Sequence, residues 1–259
     1  ALYDEQNNLR NMFILPIMVN DINDQRPQFK SSVLRVDISE NLQTRTFFPL
    51  ESPIDSDSVK YSIQNCTLLN NINTLAYNGL FEVSYNRENK NLQFISNKPL
   101  DYETKSEYEL EMACFDGENE AVISLMVNVL DANDHIPFFK KTFYNVSLEE
   151  NKKIDNLVKI EAVDLDDPNS LNSKLTFSLP SELNSAEIRE EFFINADNGI
   201  IGLRQPLDYE KTKSYTLKVK VQDRGPTNSV PIYTDVYVYV IDVNDHAPQP
   251  SVSYIDLFI

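Results

Sequence analysis

Three copies of one short acidic motif carry the chemistry this sequence could do. Asp21-Ile22-Asn23-Asp24 recurs as Asp131-Ala132-Asn133-Asp134 and as Asp242-Val243-Asn244-Asp245, at intervals of 110 and 111 residues. Each copy crowds three oxygen-bearing side chains into four positions. Left bare, such carboxylates repel one another. A hard cation taking about 6–8 oxygens turns the same cluster into a clamp. Calcium suits it better than magnesium, which demands a tight octahedron, or zinc, which favours the His and Cys these clusters almost lack. An EF-hand loop does not fit. Counted from Asp164, its sixth and twelfth positions need Gly and Glu, where the sequence has Asn169 and Leu175. Counted from Asp55, the twelfth residue is Cys66. The acids must therefore converge from separate loops.

The elements that position them repeat with the same period. Leu100-Asp101-Tyr102-Glu103 returns 107 residues later as Leu207-Asp208-Tyr209-Glu210. Ile38-Ser39-Glu40-Asn41 is matched by Leu148-Glu149-Glu150-Asn151, and Asp55-Ser56-Asp57 by Asp164-Leu165-Asp166. Four matched elements in one order identify an internal repeat. Every Asp-x-Asn-Asp copy follows an apolar run (13–19, 122–130 and 236–241) and precedes a proline (Pro27, Pro137, Pro248). Between these marks apolar residues alternate with others, as in Tyr108, Leu110, Met112 and Cys114, in Tyr215, Leu217, Val219 and Val221, and in Val236, Val238 and Val240. That period of two predicts half-buried strands, and Asn198-Gly199 and Arg224-Gly225-Pro226 predict turns. One helical turn is expected at 185–191. About seven short strands in every ~110 residues predict an all-β chain of tandem seven-stranded Greek-key β-sandwiches. The expected boundaries are closing strands and linker of a first repeat at 1–26, complete repeats at 27–136 and 137–247, and the first strand of a further repeat at 248–259. Flexible linkers are Gly/Ser-rich; these are acidic.

Composition narrows the function. Forty acidic against 23 basic residues give a net charge of −17, which phosphate backbones would repel, so nucleic acid is excluded as a partner. No stretch reaches the roughly 18 apolar residues of a membrane span, and the opening residues do not read as a signal peptide; the sequence reads as beginning and ending inside domains. Two cysteines are too few for a disulfide scaffold. Cys114 lies on the apolar phase of its strand, which favours a buried free thiol; a Cys66–Cys114 bridge stays open, because spacing does not fix pairing. Asn65-Cys66-Thr67 and Asn145-Val146-Ser147 are glycosylation sequons. His135 and His246 follow linker aspartates with no nucleophile or second base beside them, so no catalytic site and no small-molecule substrate are expected.

The order Glu-Asn, Asp-x-Asp, Leu-Asp-Tyr-Glu, x-Asp-Gly and Asp-x-Asn-Asp resembles the extracellular repeats of cadherins, over essentially the whole chain. Phe48-Pro49-Leu50-Glu51 ahead of Asp55, and Leu92-Gln93-Phe94 running into Lys98-Pro99-Leu100-Asp101, resemble the second repeat of protocadherins. Ala247-Pro248 with Ser251-Val252 resembles the start of their fourth. The resemblance implies three calcium ions at the middle linker. Their ligands would be Glu40, Asp101 and Glu103 from above, and Asp131, Asn133, Asp134 and the carbonyls of Ala132 and His135 in the linker. Asp164, Asp166, Asp223 and the Asn172 carbonyl would be added from below. It implies partial sites at the first linker (Asp21, Asn23, Asp24, Asp55, Asp57, Asp116) and at the last (Glu150, Asp208, Glu210, Asp242, Asn244, Asp245). Gln25, His135 and His246 stand where the family commonly has Asn, and the short loop after Asp57 has no counterpart of Asn172.

The function the resemblance implies is calcium-dependent cell–cell adhesion on the extracellular side of a plasma membrane, with a single-pass anchor. The partner would be another cadherin ectodomain, the same protein in an antiparallel trans arrangement. Phe47, Phe48 and Leu50 are candidate surface contributors, since alternation turns part of that apolar run outward. The alternatives are a heterophilic or mechanical-link cadherin using the same clamps, and a calcium-dependent hydrolase on a β-sandwich. The last would need a convergent acid–base pair in one cleft, whereas these acids fall at domain ends.

Overall fold

Fully burying one Val, Leu or Phe side chain stabilises a fold by roughly 1.5–3 kcal/mol, and the alternating segments bury one such residue at every second position. The computed structural model describes residues 2–3, 9–11, 14–43, 45–69, 77 and 79–248. Short strands β1 (Leu2–Tyr3) and β2 (Leu9–Asn11) pair antiparallel. Seven strands come next: β3 (Val33–Ser39), β4 (Thr46–Leu50), β5 (Asn65–Leu68), β6 (Phe81–Asn86), β7 (Asn91–Ser96), β8 (Glu107–Phe115) and β9 (Glu120–Leu130). Beyond them run β10 (Phe138–Phe139), β11 (Phe143–Glu149), β12 (Val158–Lys159), β13 (Ala162–Val163), β14 (Leu175–Ser178), helix α1 (Ala186–Glu191), β15 (Phe192–Ile194), β16 (Ile200–Leu203), β17 (Ser214–Asp223) and β18 (Ile232–Ile241).

Two compact units result. One reaches to Leu130 apart from Tyr102–Thr104; the other takes those three residues and continues from Asp131. In the first, a four-stranded sheet β3-β9-β8-β5 and a three-stranded sheet β4-β7-β6 enclose the core. Phe94, Leu92, Ile38, Met112, Leu125 and Val127 are all but fully buried there. In the second, the sheets β11-β18-β17-β14 and β12-β16-β15 correspond, with a small β10–β13 pair beside them. Leu217, Val219 and Val221 of β17 pack with Val236 and Val238 of β18 and with Phe192, Ile201 and Leu203. The first strand of each four-stranded sheet runs parallel to the last, β3 beside β9 and β11 beside β18, each over seven paired residues. Every other strand pair among the described residues is antiparallel. The architecture is the all-β sandwich that the alternation predicts.

The helical turn is α1, whose N-cap Ser185 accepts a hydrogen bond from the Ile188 N–H, satisfying an end donor that would otherwise lack a partner. The Asn198-Gly199 turn needs its glycine. Gly199 has φ +69°, and a Cβ there would stand 2.4 Å from the Ile160 carbonyl oxygen.

Two expectations are corrected. Cys66 and Cys114 are not free thiols: they sit directly opposite each other in the β5–β8 register and form a disulfide, with Cα atoms 4.1 Å apart. Burial, read from the alternation, is right; the redox state depended on a strand register that spacing alone does not give. The apolar run 13–19 is not a strand over its described part, 14–19, where Ile14, Leu15, Ile17, Met18 and Val19 are exposed. No strand among the described residues pairs with it, and a strand without neighbours gains neither ladder bonds nor a covered face. The expected strand at 248–259 lies outside the described residues apart from Pro248. Phe47 faces outward; Phe48 and Leu50 are half-buried, with the Phe48 ring 6.4 Å from that of Phe94.

Candidate metal centre

Strand direction carries the acids to the ends of the sandwiches. In the first unit β8 ends at Phe115, which pairs with Glu120 at the start of β9, so Asp116 caps one end. Glu40 follows β3 and donates its backbone N–H to the Leu130 carbonyl at the opposite end. Glu40 is buried. Asp101 is exposed, and its carbonyl accepts the Lys105 N–H.

Around Asp116 the linker folds back onto its own unit. Asn23 donates from Nδ2 to Asp116 Oδ1 at 3.0 Å, and Asn119 donates to Asn23 Oδ1 at 3.1 Å. Burial would push the Asp116 carboxyl up, but the backbone N–H groups of Asn119 and Glu118 on Oδ1, at 2.7 and 2.8 Å, outweigh it and hold the pKa down. The Ser58 N–H donates to Asp21 Oδ2 at 2.8 Å, the Gln25 N–H to Asp57 Oδ2 at 3.1 Å, and the Asp57 N–H to Asp55 Oδ1 at 3.0 Å. The Ser58 bond lowers the Asp21 pKa. Asp57 moves the other way: desolvation raises it despite Gln25, and the charges of Asp55, Asp21 and Asp24 add to the rise. Asp24 Oδ1 accepts from the Gln25 side chain.

The second unit repeats the arrangement with Asp131–His135. Asn133 donates from Nδ2 to Asp223 Oδ1, 3.1 Å away at the end of β17, as Asn23 does to Asp116. Asp131 is held by the Asp167 N–H, the Ser170 hydroxyl and the Asn172 amide, at 3.3, 3.0 and 2.8 Å. The Ala132 carbonyl accepts the Asp134 N–H. The His135 N–H donates to Asp166 Oδ1. The His135 ring Nδ1 lies 3.0 Å from Asp134, 3.2 Å from Asp166 and 3.8 Å from Glu103. Burial opposes charging of that ring, yet Glu103, Asp134 and Asp166 together raise its pKa. Desolvation raises Asp164 and Asp166, and each carries a neighbouring carboxylate, Asp223 and Asp164 respectively, that adds to the rise.

At the far end of this unit Glu150 follows β11 and Asp242 follows β18. Glu150 accepts the N–H groups of Tyr209 and Val243 on its two oxygens, at 2.7 and 2.9 Å. Ligand atoms of Glu150, Glu210 and Asp242 lie within 4.8 Å of one another, as do those of Glu210, Asp245 and His246. Asn151 donates to Asp245 at 2.6 Å and is the main cause of its lowered pKa. The neighbouring carboxylates of Asp245 and Glu210 raise the His246 pKa. The Asp208 side chain accepts the Lys211 N–H. Asn244 is exposed.

The donor set can be tested against a hard cation. Asn133 Oδ1, Asp164 Oδ2 and Asp166 Oδ2 are buried oxygens with no hydrogen-bond partner, and Asp55 Oδ2 is a fourth. Leaving such an oxygen unpaired costs about 1–3 kcal/mol; a divalent ion with an oxygen shell removes that cost. All four belong to motif positions, none is a thiolate, and they fit calcium. Gly225 completes the cradle, since a Cβ there would stand 2.5 Å from Asn133 Nδ2. Asn119, Ser170, Asn151 and Gly225 escape the sequence analysis as participants. Their signal is faint: polar residues in turns beside the motifs, as in 167–173, which gain meaning only from where the loops fold.

Two sandwiches with acids at their ends, joined through Asp-x-Asn-Asp linkers, define a chain of cadherin repeats. Residues 144–253 match the family described as Cadherin domain. Protocadherin 18 of Mus musculus is 32% identical over 249 residues, covering 93% of this chain and 21% of the relative. Protocadherin alpha-11 of Homo sapiens is 33% identical over 250 residues, covering 95% of this chain and 25% of the relative. The structure of mouse clustered protocadherin gamma C3 repeats EC1–3 superposes with a TM-score of 0.74 at 29% identity, over 86% of this chain and 70% of that one. The chain belongs to the cadherin superfamily, with repeats most similar to those of protocadherins. It spans about a fifth to a quarter of the length of these curated relatives.

Proposed function

We propose that this chain is part of an extracellular adhesion ectodomain whose repeats are made rigid by calcium, and that it recognises another cadherin, a second copy of itself. The observation that carries this reading is the set of buried, unpartnered oxygens of Asp55, Asn133, Asp164 and Asp166 at motif positions. Glu103, Asp131, Asn133, Asp134, Asp164, Asp166 and Asp223 would hold calcium at the middle linker, and the family pattern adds Glu40, Asp101 and the carbonyls of Ala132, His135 and Asn172. The expected number there is three. The first and last linkers would hold the partial sets around Asp116 and Glu150. Calcium supplies charge neutralisation here and no turnover; cadherins are adhesion proteins and not enzymes. The complete repeats would be 27–136 and 137–247, and the anchor would be a single membrane span elsewhere in the protein.

The test is sedimentation of the chain in calcium and in chelator, with calcium binding measured calorimetrically in parallel. Self-association in calcium alone is the expected result. Calcium binding without self-association would favour a heterophilic or mechanical partner. No calcium binding would overturn the reading.

A further inference from the structure

Asn145 lies in the middle of β11, at the edge of its sheet. Side chains alternate along a strand, so Phe143, Asn145 and Ser147 share the outer face, while Tyr144 and Leu148 enter the core. The parallel register sets Asn145 directly beside Tyr237 and Ser147 beside Tyr239. The Phe143 and Tyr237 rings meet edge-on with centroids 6.2 Å apart, and Phe143 and Tyr239 remain 52% and 49% exposed. Three aromatic residues therefore share a sheet face with one exposed asparagine, which is the acceptor of an Asn-Val-Ser triplet. Exposed aromatic clusters call for a covering group, and here a covalent one can be attached at the centre. A pyranose ring offers an apolar face of polarised C–H bonds, which complements the negative face of an aromatic ring. The second sequon is poorer. Asn65 stands opposite the exposed Phe115, but Ile63, two residues before it, is buried.

We propose that Asn145 carries an N-linked glycan whose first N-acetylglucosamine units lie over Phe143 and Tyr237, closing this face of the second unit to protein partners. The placement rests on the extracellular reading above, because the modification is made in the secretory pathway. It goes beyond that reading in assigning a site, a ligand class and a face lost to adhesion.

The chain is secreted from mammalian cells with Asn65→Gln, so that one sequon remains, and its mass and glycopeptides are measured. Full occupancy of Asn145 is expected; secreted protein without sugar at Asn145 overturns the proposal. A double-mutant cycle then compares the effect of Asn145→Gln in the native chain with its effect beside Phe143→Thr and Tyr237→Thr. Loss of the glycan is expected to lower the melting temperature by roughly 4 °C in the native chain, and by less than about 1 °C without the rings. Equal shifts overturn the stacking. Nitration of Tyr237 needs no platform variant, and should be several-fold faster in Asn145→Gln than in the glycosylated chain. An unchanged rate counts against the glycan as cover. Calcium binding measured on the same samples fails separately if the adhesion reading is wrong, and leaves the mass at Asn145 untouched.

Discussion

Asp166→Asn should change the sign of its effect on stability with calcium. Asp166 is almost completely buried, its Oδ1 accepts from His135, and its Oδ2 has no partner. Without calcium its charge is crowded by Asp164 and Asp131. Two like charges about 4–5 Å apart at an effective dielectric near 20 repel by roughly 3–4 kcal/mol. His135 beside them offsets part of this, so removing the charge should stabilise the chelated protein by about 1–2 kcal/mol. That corresponds to a melting temperature higher by about 3–6 °C for a unit of this size. With calcium the same change removes an anionic ligand. A loss of roughly 10- to 100-fold in affinity would shrink the stabilisation by calcium by about 1.4–2.7 kcal/mol. Circular dichroism melts of wild type and variant, each in chelator and in millimolar calcium, read both signs. The variant should melt higher than wild type in chelator and lower in calcium. A shift of the same direction in both conditions would refute the reasoning, because the buried carboxylate would then serve packing and not a cation.

A phenol, a turn and the disulfide give three further expected outcomes. Burial, and next the Glu191 carboxylate, push the Tyr215 phenol up to about 12 from the usual 10. The unfolded chain therefore ionises first, and stability present in full below pH 10 falls as the pH rises towards 12; Tyr215→Phe should flatten that alkaline slope in a pH-dependent melt. Gly199→Ala forces a left-handed residue and a Cβ contact at 2.4 Å on the Ile160 carbonyl, and should cost roughly 1–3 kcal/mol in denaturant unfolding of the second unit. Replacing both Cys66 and Cys114 by Ser opens a loop with a sequence separation of 48, and should destabilise the first unit by up to about 4 kcal/mol while leaving the unfolding of the second unchanged.

The sequence announces what is periodic and hides what is relational. β8, β17 and β18 are legible because every second residue is apolar and buried. The gathering of Asp21, Asn23, Asp55, Asp57 and Asp116 at one strand end follows from a motif that returns in the second unit. The Cys66–Cys114 bond is not legible, because one residue of register decides whether two thiols face each other. Nor are Asn119 and Ser170, since each works through a loop whose course is set by the whole sandwich. The exposed run at 14–19 marks the limit of pattern reading: alternation describes a strand's two faces, and pairing requires a neighbour.

The parallel alignment of β11 with β18, and of β3 with β9, has a mechanical consequence. Each repeat receives its chain at one end and releases it at the other, so tension applied along the chain would pull the two strands past each other lengthwise. Seven registered pairs in each sheet are then loaded in shear at the same moment and cannot be unzipped singly. Under such a load the sandwich gives way only when a whole ladder fails at once.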